Sequence, residues 1–376
     1  MIMQINNIIQ GNTLNVLKQM PDESIDCVVT SPPYWGLRTY GTELQIWDSE
    51  KNCNHKWQTK NDTLHSGRGD AQKSGKYSMR KAIPDTSIFS EVCSKCHAWR
   101  GELGLEPTFE LYIKHLMQIF DEIKRILKKT GTCWVNLGDS YAGSGGAGGD
   151  YNDGGIKEGQ PKFKQGIANA PSKSLCMIPY RFAIGMINHC WILRNIIIWH
   201  KPSCMPSSAC DRYTVDFEPI FFFTKSQKYF FEQQFEPLSE SSLNDARLDK
   251  GREEHIGKSA QKQFGCNNTT IKSIGRNART VWDINFEPFS EAHFACFPTE
   301  LQRKCIRAGC PKDCIVIDPF CGSGTTCLVA KELGRQWLGI ELKLDYVKLA
   351  NERINGFKRT DWQAQREHMS LKIINN

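Results

Sequence analysis

The sequence predicts an α/β fold with a mostly parallel sheet, helices on both of its faces and a small inserted module. Short apolar runs alternate with stretches that carry apolar residues at helical spacing, as strands and crossover helices do. One buried run directly precedes a proline pair near the N-terminus, and another precedes a glycine turn near the C-terminus. The 376 residues suffice for one large α/β domain and a smaller module.

The predicted elements follow one another along the chain. Residues 25–30 form a short buried strand that ends in Ser-Pro-Pro. Residues 109–129 carry apolar side chains at helical spacing and predict a long helix. A proline at the start of residues 179–190 favours another helix there. The remaining predicted strands are residues 132–137, 191–199, 217–224, 314–318 and 337–341, and the remaining helices are residues 298–308, 325–333 and 344–354.

Three polar segments interrupt this order, at residues 51–99, 142–155 and 239–280. The first is basic and carries a cysteine cluster, the second is rich in glycine, and the third has neither helical nor strand period. We expect none of the three to supply a strand to a sheet. The glycine-rich segment is predicted to be a mobile loop, and a lid over a ligand is the alternative.

The composition is that of a globular protein, with 40% hydrophobic residues. No apolar run approaches the roughly 20 residues that span a bilayer, so no membrane partner is expected. The start of the chain lacks a basic leader and a small-residue cleavage site, which predicts a cytoplasmic protein. Most of the 16 cysteines are scattered in apolar strands, as small buried side chains are in a reducing compartment. The net charge of +7 permits a polyanionic partner.

A strand, a glycine turn and a helix start follow one another at residues 315–326, Ile-Val-Ile-Asp-Pro-Phe-Cys-Gly-Ser-Gly-Thr-Thr. Asp318 ends the strand, Gly322 and Gly324 form the turn, and the two threonines are predicted to cap the helix. Glycine lets the backbone approach a ligand, and a helix N-terminus is electropositive. Glu341 ends the next strand, where an acid can accept hydrogen bonds from both ribose hydroxyls. Because no Gly-Lys-Ser/Thr follows the turn, a sulfonium nucleoside is favoured over a triphosphate.

The loop Thr-Ser-Pro-Pro-Tyr-Trp at residues 30–35 follows a buried strand directly. Its prolines hold the backbone extended, so it offers a hydroxyl, a rigid carbonyl and an aromatic face to a planar base that carries an amino group. The lone pair of such an amine is delocalised into the ring. Hydrogen bonds from both N–H groups to fixed oxygens would direct that lone pair at a sulfonium methyl, by positioning and electrostatics alone. The candidate catalytic residues are Ser31, Pro32, Pro33 and Tyr34.

Cysteine and histidine cluster at two places in the first polar segment, as Cys53-x-His55 and Cys93-x-x-Cys96-His97. Two close pairs of soft ligands fit tetrahedral zinc. We predict a structural zinc ion with Cys53, His55, Cys93 and Cys96 as ligands and His97 as a substitute. Unremarkable loop cysteines are the alternative. A catalytic zinc is not expected, because the predicted reaction needs no activated water.

Together, these blocks resemble the amino-group DNA methyltransferases of the permuted, beta-type order, in which the catalytic loop precedes the cofactor loop. The blocks that carry the resemblance are residues 31–34 (SPPY), 194–202 (RNIIIWHKP), 216–225 (DFEPIFFFTK), 280–284 (TVWDI), 293–301 (HFACFPTEL) and 318–326. They cover nearly the whole chain apart from the insertions. The resemblance implies a Rossmann-like methyltransferase fold, S-adenosylmethionine as cofactor and double-stranded DNA as substrate, and it admits a cognate restriction endonuclease as partner. One departure is Asn12 after Gly11, where the family usually has aspartate.

In that family the Ser form of the loop is associated with cytosine N4 and the Asp form with adenine N6. The resemblance therefore implies methylation of cytosine N4 in a base flipped out of the duplex, with adenine N6 as the near alternative. Methylation at C5 would need a Pro-Cys pair, and none of the 16 prolines precedes a cysteine. By the same likeness, residues 293–301 line the methionine end of the cofactor. The predicted cofactor-binding residues are Asp318, Pro319, Phe320, Gly322, Gly324, Thr325, Glu341, Phe297 and Pro298.

Basic residues concentrate in the first and third polar segments, where they can contact phosphates, although solvated loops are the alternative. The candidate DNA contacts are Lys73, Lys76, Arg80 and Lys81 in the first and Lys272, Arg276 and Arg279 in the third. The predicted organisation is a catalytic half at residues 1–50 and 100–238, a zinc-binding insertion at 51–99, a target-recognition region at 239–280 and a cofactor-binding half at 281–376.

Two alternatives from other classes remain. One is a zinc-dependent nucleic-acid-binding module with an inactive methyltransferase core, against which the intact loops at residues 31–34 and 322–324 argue. The other is a methyltransferase that acts on RNA or protein, which fits fewer of the blocks. If the chain is an amino-group DNA methyltransferase, the proline-containing turn and the glycine turn must lie at adjoining strand ends.

Overall fold

The computed structural model describes residues 4–37, 39–59, 91–142, 170–239, 275–286 and 298–356. The strands of these ranges are β1 (Asn7–Gln10), β2 (Ile25–Thr30), β3 (Gln45–Trp47), β4 (Trp57–Thr59), β5 (Glu91–Cys93), β6 (Trp99–Gly101), β7 (Leu127–Asn136), β8 (Ile192–His200), β9 (Phe217–Thr224), β10 (Phe235–Glu236), β11 (Arg276–Asn277), β12 (Val281–Asp283), β13 (Ile315–Asp318) and β14 (Gln336–Glu341). The helices are α1 (Thr13–Lys18), α2 (Phe109–Ile126), α3 (Ile178–Asn188), α4 (Thr299–Gly309), α5 (Thr325–Glu332) and α6 (Leu344–Gly356).

Eight of the described strands form one mixed sheet, in the order β1-β14-β13-β2-β7-β9-β8-β12. Strand β9 runs antiparallel to both of its neighbours, and the other neighbouring strands are parallel. The central strands β2 and β13 are almost wholly buried, as strands of a covered parallel sheet are, which explains their continuous apolar sequence. The predicted α/β class with a mostly parallel sheet is confirmed.

The described residues divide into two compact units. The first unit comprises the described residues within Met1–Pro32, Ile119–Leu137 and Ala183–Asn376, and it contains the eight-stranded sheet. Its core includes the stacked rings of Trp134 and Phe222, whose centroids are 4.0 Å apart. The second unit comprises the described residues within Pro33–Gln118 and Gly138–Phe182. It contains a four-stranded antiparallel sheet in the order β3-β6-β5-β4, here named the insertion sheet.

The expectation that the polar segments supply no strand is wrong. Strands β4 and β5 and the start of β6 lie within residues 51–99, and β11 lies within residues 239–280, where it pairs with β10. These strands contain two or three residues each, which is too short for a strand period to be visible in the sequence. The glycine-rich segment at residues 142–155 lies, apart from its first residue, outside the described residues.

The long helix α2 begins where it was predicted and ends three residues earlier, at Ile126, because β7 begins at Leu127. Its apolar positions include Phe109, Tyr112 and Leu116, which are all buried, as helical spacing requires. Within the described ranges, no helix combines the length and the apolar content that crossing a membrane demands.

Candidate active site

The ends of β2 and β13 lie side by side in the first unit. The two strands pair in parallel, with Cys27 opposite Val316 and Val28 opposite Ile317. At their carboxyl ends, the Thr30 hydroxyl donates a hydrogen bond of 2.7 Å to Oδ1 of Asp318. The expectation that these strand ends adjoin is therefore confirmed. Ser31 and Pro32 follow β2 directly, and the glycine turn follows β13.

The carboxylate of Asp318 accepts three hydrogen bonds from within the protein. Oδ1 accepts hydrogen bonds from the Thr30 hydroxyl and from the backbone N–H of Phe320, and Oδ2 accepts one of 2.7 Å from the Thr326 hydroxyl. Burial raises the pKa of the carboxyl, and the three donors oppose that shift. With 4% of the residue exposed, Asp318 fixes the shape of the strand end and of the turn. Asp318 therefore has less capacity to bind a ligand directly than its place in the predicted cofactor loop indicates.

The glycine turn leads into α5 in a way that only glycine permits. Gly324 is the N-cap residue of α5 with φ of 81°, and a Cβ there would lie 2.9 Å from the Cβ of Ala350. The predicted capping by the two threonines is wrong, because Gly324 occupies the cap position and supplies no side chain. Instead, the Thr325 hydroxyl accepts a hydrogen bond of 2.8 Å from Arg353, and Thr326 bonds to Asp318. No sequence pattern marked Arg353 as a residue of this site.

Glu341 lies beside the same turn. Its Oε2 accepts a hydrogen bond of 2.9 Å from the Gly322 N–H, and its Oε1 accepts one of 2.8 Å from the Lys343 N–H. Burial raises the pKa of this carboxyl. Because a carboxylate oxygen has two lone pairs, each oxygen can accept a second bond, for example from a ribose hydroxyl. The Pro319 carbonyl accepts a bond of 2.7 Å from the Thr13 hydroxyl.

Of the other two predicted cofactor residues, Phe297 and Pro298, the structure describes only Pro298. Pro298 is buried at the N-terminal end of α4. Phe297 and most of the block at residues 293–301 lie outside the described residues.

In the second unit, hydrogen bonds hold the loop that continues from Pro33. The Tyr112 hydroxyl donates to the Pro33 carbonyl at 2.7 Å. The Trp35 indole donates to the Glu106 carbonyl at 2.9 Å, and the Ser140 hydroxyl donates to the Trp35 carbonyl at 3.0 Å. Burial raises the pKa of Tyr112 well above its usual value, so its hydroxyl remains a donor. The backbone carbonyls on both sides of Tyr34 are therefore held by side-chain donors.

The ring of Tyr34 packs against the backbone of Gly138. A Cβ at Gly138 would lie 2.4 Å from Cε2 and 2.6 Å from Cδ2 of Tyr34, so no larger residue fits there without displacing the ring. Asp139 follows, and its Oδ1 accepts hydrogen bonds from the backbone N–H groups of Ser140 and Ile178. Burial raises the pKa of Asp139. No sequence pattern singled out this acid, which lies three residues after β7, whereas Asp318 is the last residue of β13.

The four predicted zinc ligands come together in the second unit. The ligand atoms of Cys53, His55, Cys93 and Cys96 all lie within 4.8 Å of one another. The Sγ atoms of Cys53 and Cys93 are 4.0 Å apart, near the ~3.8 Å that a tetrahedral ion with Zn–S bonds of about 2.3 Å would give. The Lys95 N–H donates to Cys93 Sγ at 3.4 Å, as it would to a thiolate. His97 is exposed and is not part of this group. The ion itself stays a prediction.

The comparisons with known proteins agree with this arrangement. The family model of the N6/N4 methyltransferases, described as DNA methylase, matches residues 25–352. The chain belongs to the DNA methylase family. Two relatives are the type II methyltransferases M.XycI of Xanthomonas campestris pv. cyanopsidis and M.SmaI of Serratia marcescens, each 33% identical. The alignments cover 95% and 92% of this chain and 90% of each relative.

The fold of the methylase is that of S-adenosylmethionine-dependent methyltransferases. It is similar to the solved structure of PvuII DNA methyltransferase (cytosine-N4-specific), with a TM-score of 0.52 and 18% identity. That comparison covers 98% of this chain and 92% of the other. Asn12, the departure from the family pattern, caps α1 by accepting a hydrogen bond from the Asn15 N–H.

Most of the predicted DNA contacts of the methylase lie outside the described residues, namely Lys73, Lys76, Arg80, Lys81 and Lys272. Arg276 and Arg279 are described, and both donate to Oε1 of Glu236, at 2.7 and 2.5 Å. These bonds hold the guanidinium groups at the two-stranded sheet of β10 and β11. Arg279 keeps 68% of its side chain exposed, so it can still contact a phosphate.

Proposed function

We propose that this methylase transfers the methyl group of S-adenosylmethionine to the N4 amino group of a cytosine flipped out of double-stranded DNA. The observation that carries the proposal is the hydrogen bond between Thr30 and Asp318, because it fixes the start of the Ser31–Pro32 turn beside the start of the glycine turn. The choice of cytosine rests on Ser31, which the family resemblance associates with N4.

The residues of the glycine turn fit the nucleoside part of this cofactor. We assign the ribose hydroxyls to the remaining lone pairs of Glu341 and the close backbone approach to Gly322 and Gly324. When bound, S-adenosylmethionine supplies an electrophilic methyl group on its sulfonium. Asp318 acts behind these residues, since its oxygens already hold Thr30 and Thr326.

The residues that hold the base are assigned by asking which oxygen atoms of the loop already accept a hydrogen bond within the protein. The Pro33 carbonyl already accepts from Tyr112, so we assign the amino group to the Pro32 carbonyl and to the Ser31 hydroxyl. Both atoms accept an N–H of the base, which leaves the nitrogen lone pair directed away from them. Tyr34 supplies the stacking surface.

Nucleoside analysis tests the function. Unmethylated bacterial DNA is incubated with the enzyme and with S-adenosylmethionine that carries a trideuterated methyl group, and the digested nucleosides are measured by mass spectrometry. We expect labelled N4-methyldeoxycytidine. Labelled N6-methyldeoxyadenosine alone would reject the choice of cytosine, and no label on either amino group would reject the function. Enzyme without cofactor is the control.

Replacing Tyr34 with alanine is expected to lower kcat about 10- to 100-fold, because base stacking contributes about 1–3 kcal/mol. Calorimetry should find the dissociation constant of S-adenosylmethionine within about twofold of wild type, since Tyr34 is assigned to the base. Tyr34→Phe keeps the ring and should retain most of the turnover. Unchanged turnover in Tyr34→Ala would remove Tyr34 from the site.

We propose in addition that Cys53, His55, Cys93 and Cys96 hold a structural zinc ion that stabilises the insertion sheet. The wild-type protein should contain about one zinc per chain, as measured by plasma mass spectrometry. Cys96→Ser should reduce that content and lower the melting temperature, because a structural ion contributes directly to folding. Cys190→Ser changes an exposed cysteine and serves as the matched control. Equal metal content in both variants would contradict the assignment.

A further inference from the structure

A group of buried ionisable residues lies in the second unit, apart from the residues assigned above. His115 is fully buried, and its Nδ1 lies 2.9 Å from Oε1 of Glu106, which is also fully buried. Its Nε2 lies 3.4 Å from Oδ2 of Asp48. The imidazole stacks against two indoles, with ring centroids 4.6 Å from Trp47 and 5.4 Å from Trp99. The histidine thus contacts a carboxylate at each nitrogen and two aromatic rings.

Stability alone does not explain this group, because buried charged groups seldom increase the net stability of a fold. Desolvation opposes the charged forms, and apolar residues of the same volume commonly stabilise a core at least as well. What a fully hydrogen-bonded group supplies is a fixed geometry. Here Asp48 receives further hydrogen bonds from Lys114 and Gln118 of α2, at 2.8 and 2.6 Å. The group is therefore fixed to the helix as well as to the sheet.

On one side, the group connects to the loop that carries Tyr34. The Glu106 carboxylate accepts a hydrogen bond of 2.8 Å from the Gly104 N–H, and the Glu106 carbonyl accepts the one from the Trp35 indole. Gly104 has φ of 94°, and a Cβ there would lie 3.0 Å from the Tyr34 carbonyl oxygen. Glu106 thus holds both the residue after Tyr34 and the glycine that packs on the Tyr34 backbone.

On its other side, the group connects to the insertion sheet. Trp47 ends β3 and Trp99 begins β6, and these two residues pair with each other across the strands. Strand β6 in turn pairs with β5, which ends at Cys93. A continuous set of contacts therefore runs from the cysteine cluster through Trp99 and His115 to Glu106.

We propose that Glu106 and His115 are positioning residues for methyl transfer, which fasten the Pro33–Gly36 loop to the insertion sheet and hold Tyr34 in place for the target base. This inference rests on the proposed function. It gives the insertion sheet a role in turnover without assigning it any contact with the cofactor.

The test compares Glu106→Ala with Glu106→Gln. Alanine removes the acceptor for the Gly104 N–H, whereas glutamine keeps an acceptor oxygen. We expect Glu106→Ala to lower kcat on unmethylated bacterial DNA about 10- to 100-fold, as small misplacements at a reacting centre do. The dissociation constant of S-adenosylmethionine should stay within about twofold of wild type. Glu106→Gln should recover at least half of the lost activity on a logarithmic scale.

The matched control is Asp121→Ala. Asp121 is also the carboxylate partner of a histidine, since its Oδ1 lies 2.8 Å from Nδ1 of His189. The substitution should leave kcat unchanged. Equal losses in Glu106→Ala and Asp121→Ala, or a loss of cofactor affinity that parallels the loss of kcat, would overturn the proposal.

A second variant covers the case in which Glu106→Ala does not fold. Trp35→Phe removes the N–H donor to the Glu106 carbonyl and keeps an aromatic ring beside Phe109. It should lower kcat at least about fivefold with unchanged cofactor affinity. An unchanged kcat in a folded Trp35→Phe would contradict the inference. A wild-type protein that methylates neither amino group would instead contradict the proposed function.

Discussion

Asp318→Ala is expected to weaken the binding of S-adenosylmethionine at least tenfold, which corresponds to ~1.4 kcal/mol, and to lower the stability of the fold. The reason is indirect, since the buried Asp318 carboxylate already accepts hydrogen bonds from Thr30, Thr326 and the Phe320 N–H. Its removal leaves the buried Thr30 hydroxyl without its acceptor, at about 1–3 kcal/mol, and leaves the Thr326 hydroxyl with the longer bond of 3.4 Å to the Val29 carbonyl. The strand end and the turn are then free to separate. Calorimetry with the cofactor and chemical denaturation measure the two effects.

Asp26→Ala provides a matched control for that prediction. Asp26 also joins β2 to β13, but at the opposite ends of the strands, where its Oδ2 accepts a hydrogen bond of 3.0 Å from the Ile315 N–H. It should therefore lower stability without changing cofactor affinity. Asp318→Asn retains an acceptor oxygen and should lie between wild type and Asp318→Ala. Equal cofactor affinities in all three variants would show that Asp318 has no role in shaping the cofactor turn.

Gly138→Ala should abolish most turnover while leaving cofactor binding intact. The added Cβ would lie 2.4 Å from the Tyr34 ring, so the ring must move by about 1 Å or more to reach van der Waals distance. A displacement of that size at a reacting centre can lower the rate about 100-fold. Single-turnover methylation of unmethylated DNA measures the loss, and calorimetry checks that the dissociation constant of S-adenosylmethionine is unchanged.

Two comparisons separate this effect from a general loss of structure. Gly356→Ala places a methyl group where no atom of the described residues, apart from its chain neighbours and its own helix backbone, lies within 4 Å, and it should leave turnover unchanged. In a Tyr34→Ala background, Gly138→Ala should have little further effect, because the displaced ring is already absent. If the two substitutions instead reduce turnover independently, Gly138 acts on something other than Tyr34.

The sequence was most informative where an element is long or repeats a strong local pattern. Strand β9 occupies the predicted residues, Phe217–Thr224, and the series β13, α5 and β14 lies within a residue of its predicted bounds. Strand β1 and helix α1 were missed, because four and six residues are too few to display a period. The insertion sheet was missed for the same reason, although the cysteine spacing pointed to a compact module.

The sequence predicted the loops of the candidate site. It did not predict the hydrogen bonds from distant residues that hold those loops in place. Proline and glycine turns after buried strands are local signals that any sequence shows directly. The bond from Thr30 to Asp318 joins residues 288 positions apart, and the one from Tyr112 to Pro33 joins residues 79 apart. No spacing rule relates such pairs, since they meet only after the sheet has formed. His115 illustrates this, because in the sequence it occupies an ordinary apolar position of α2.

The central claim is that the ends of β2 and β13 form one site for cofactor and base. A crystal structure of the protein with sinefungin, the S-adenosylmethionine analogue that carries an amine in place of the methyl sulfonium, tests it most directly. We expect the ribose hydroxyls on Glu341, the chain of the analogue over Gly322 and its amine directed at Pro32. Density for the analogue at any other place, with Glu341 and Pro32 both bare, would contradict the account.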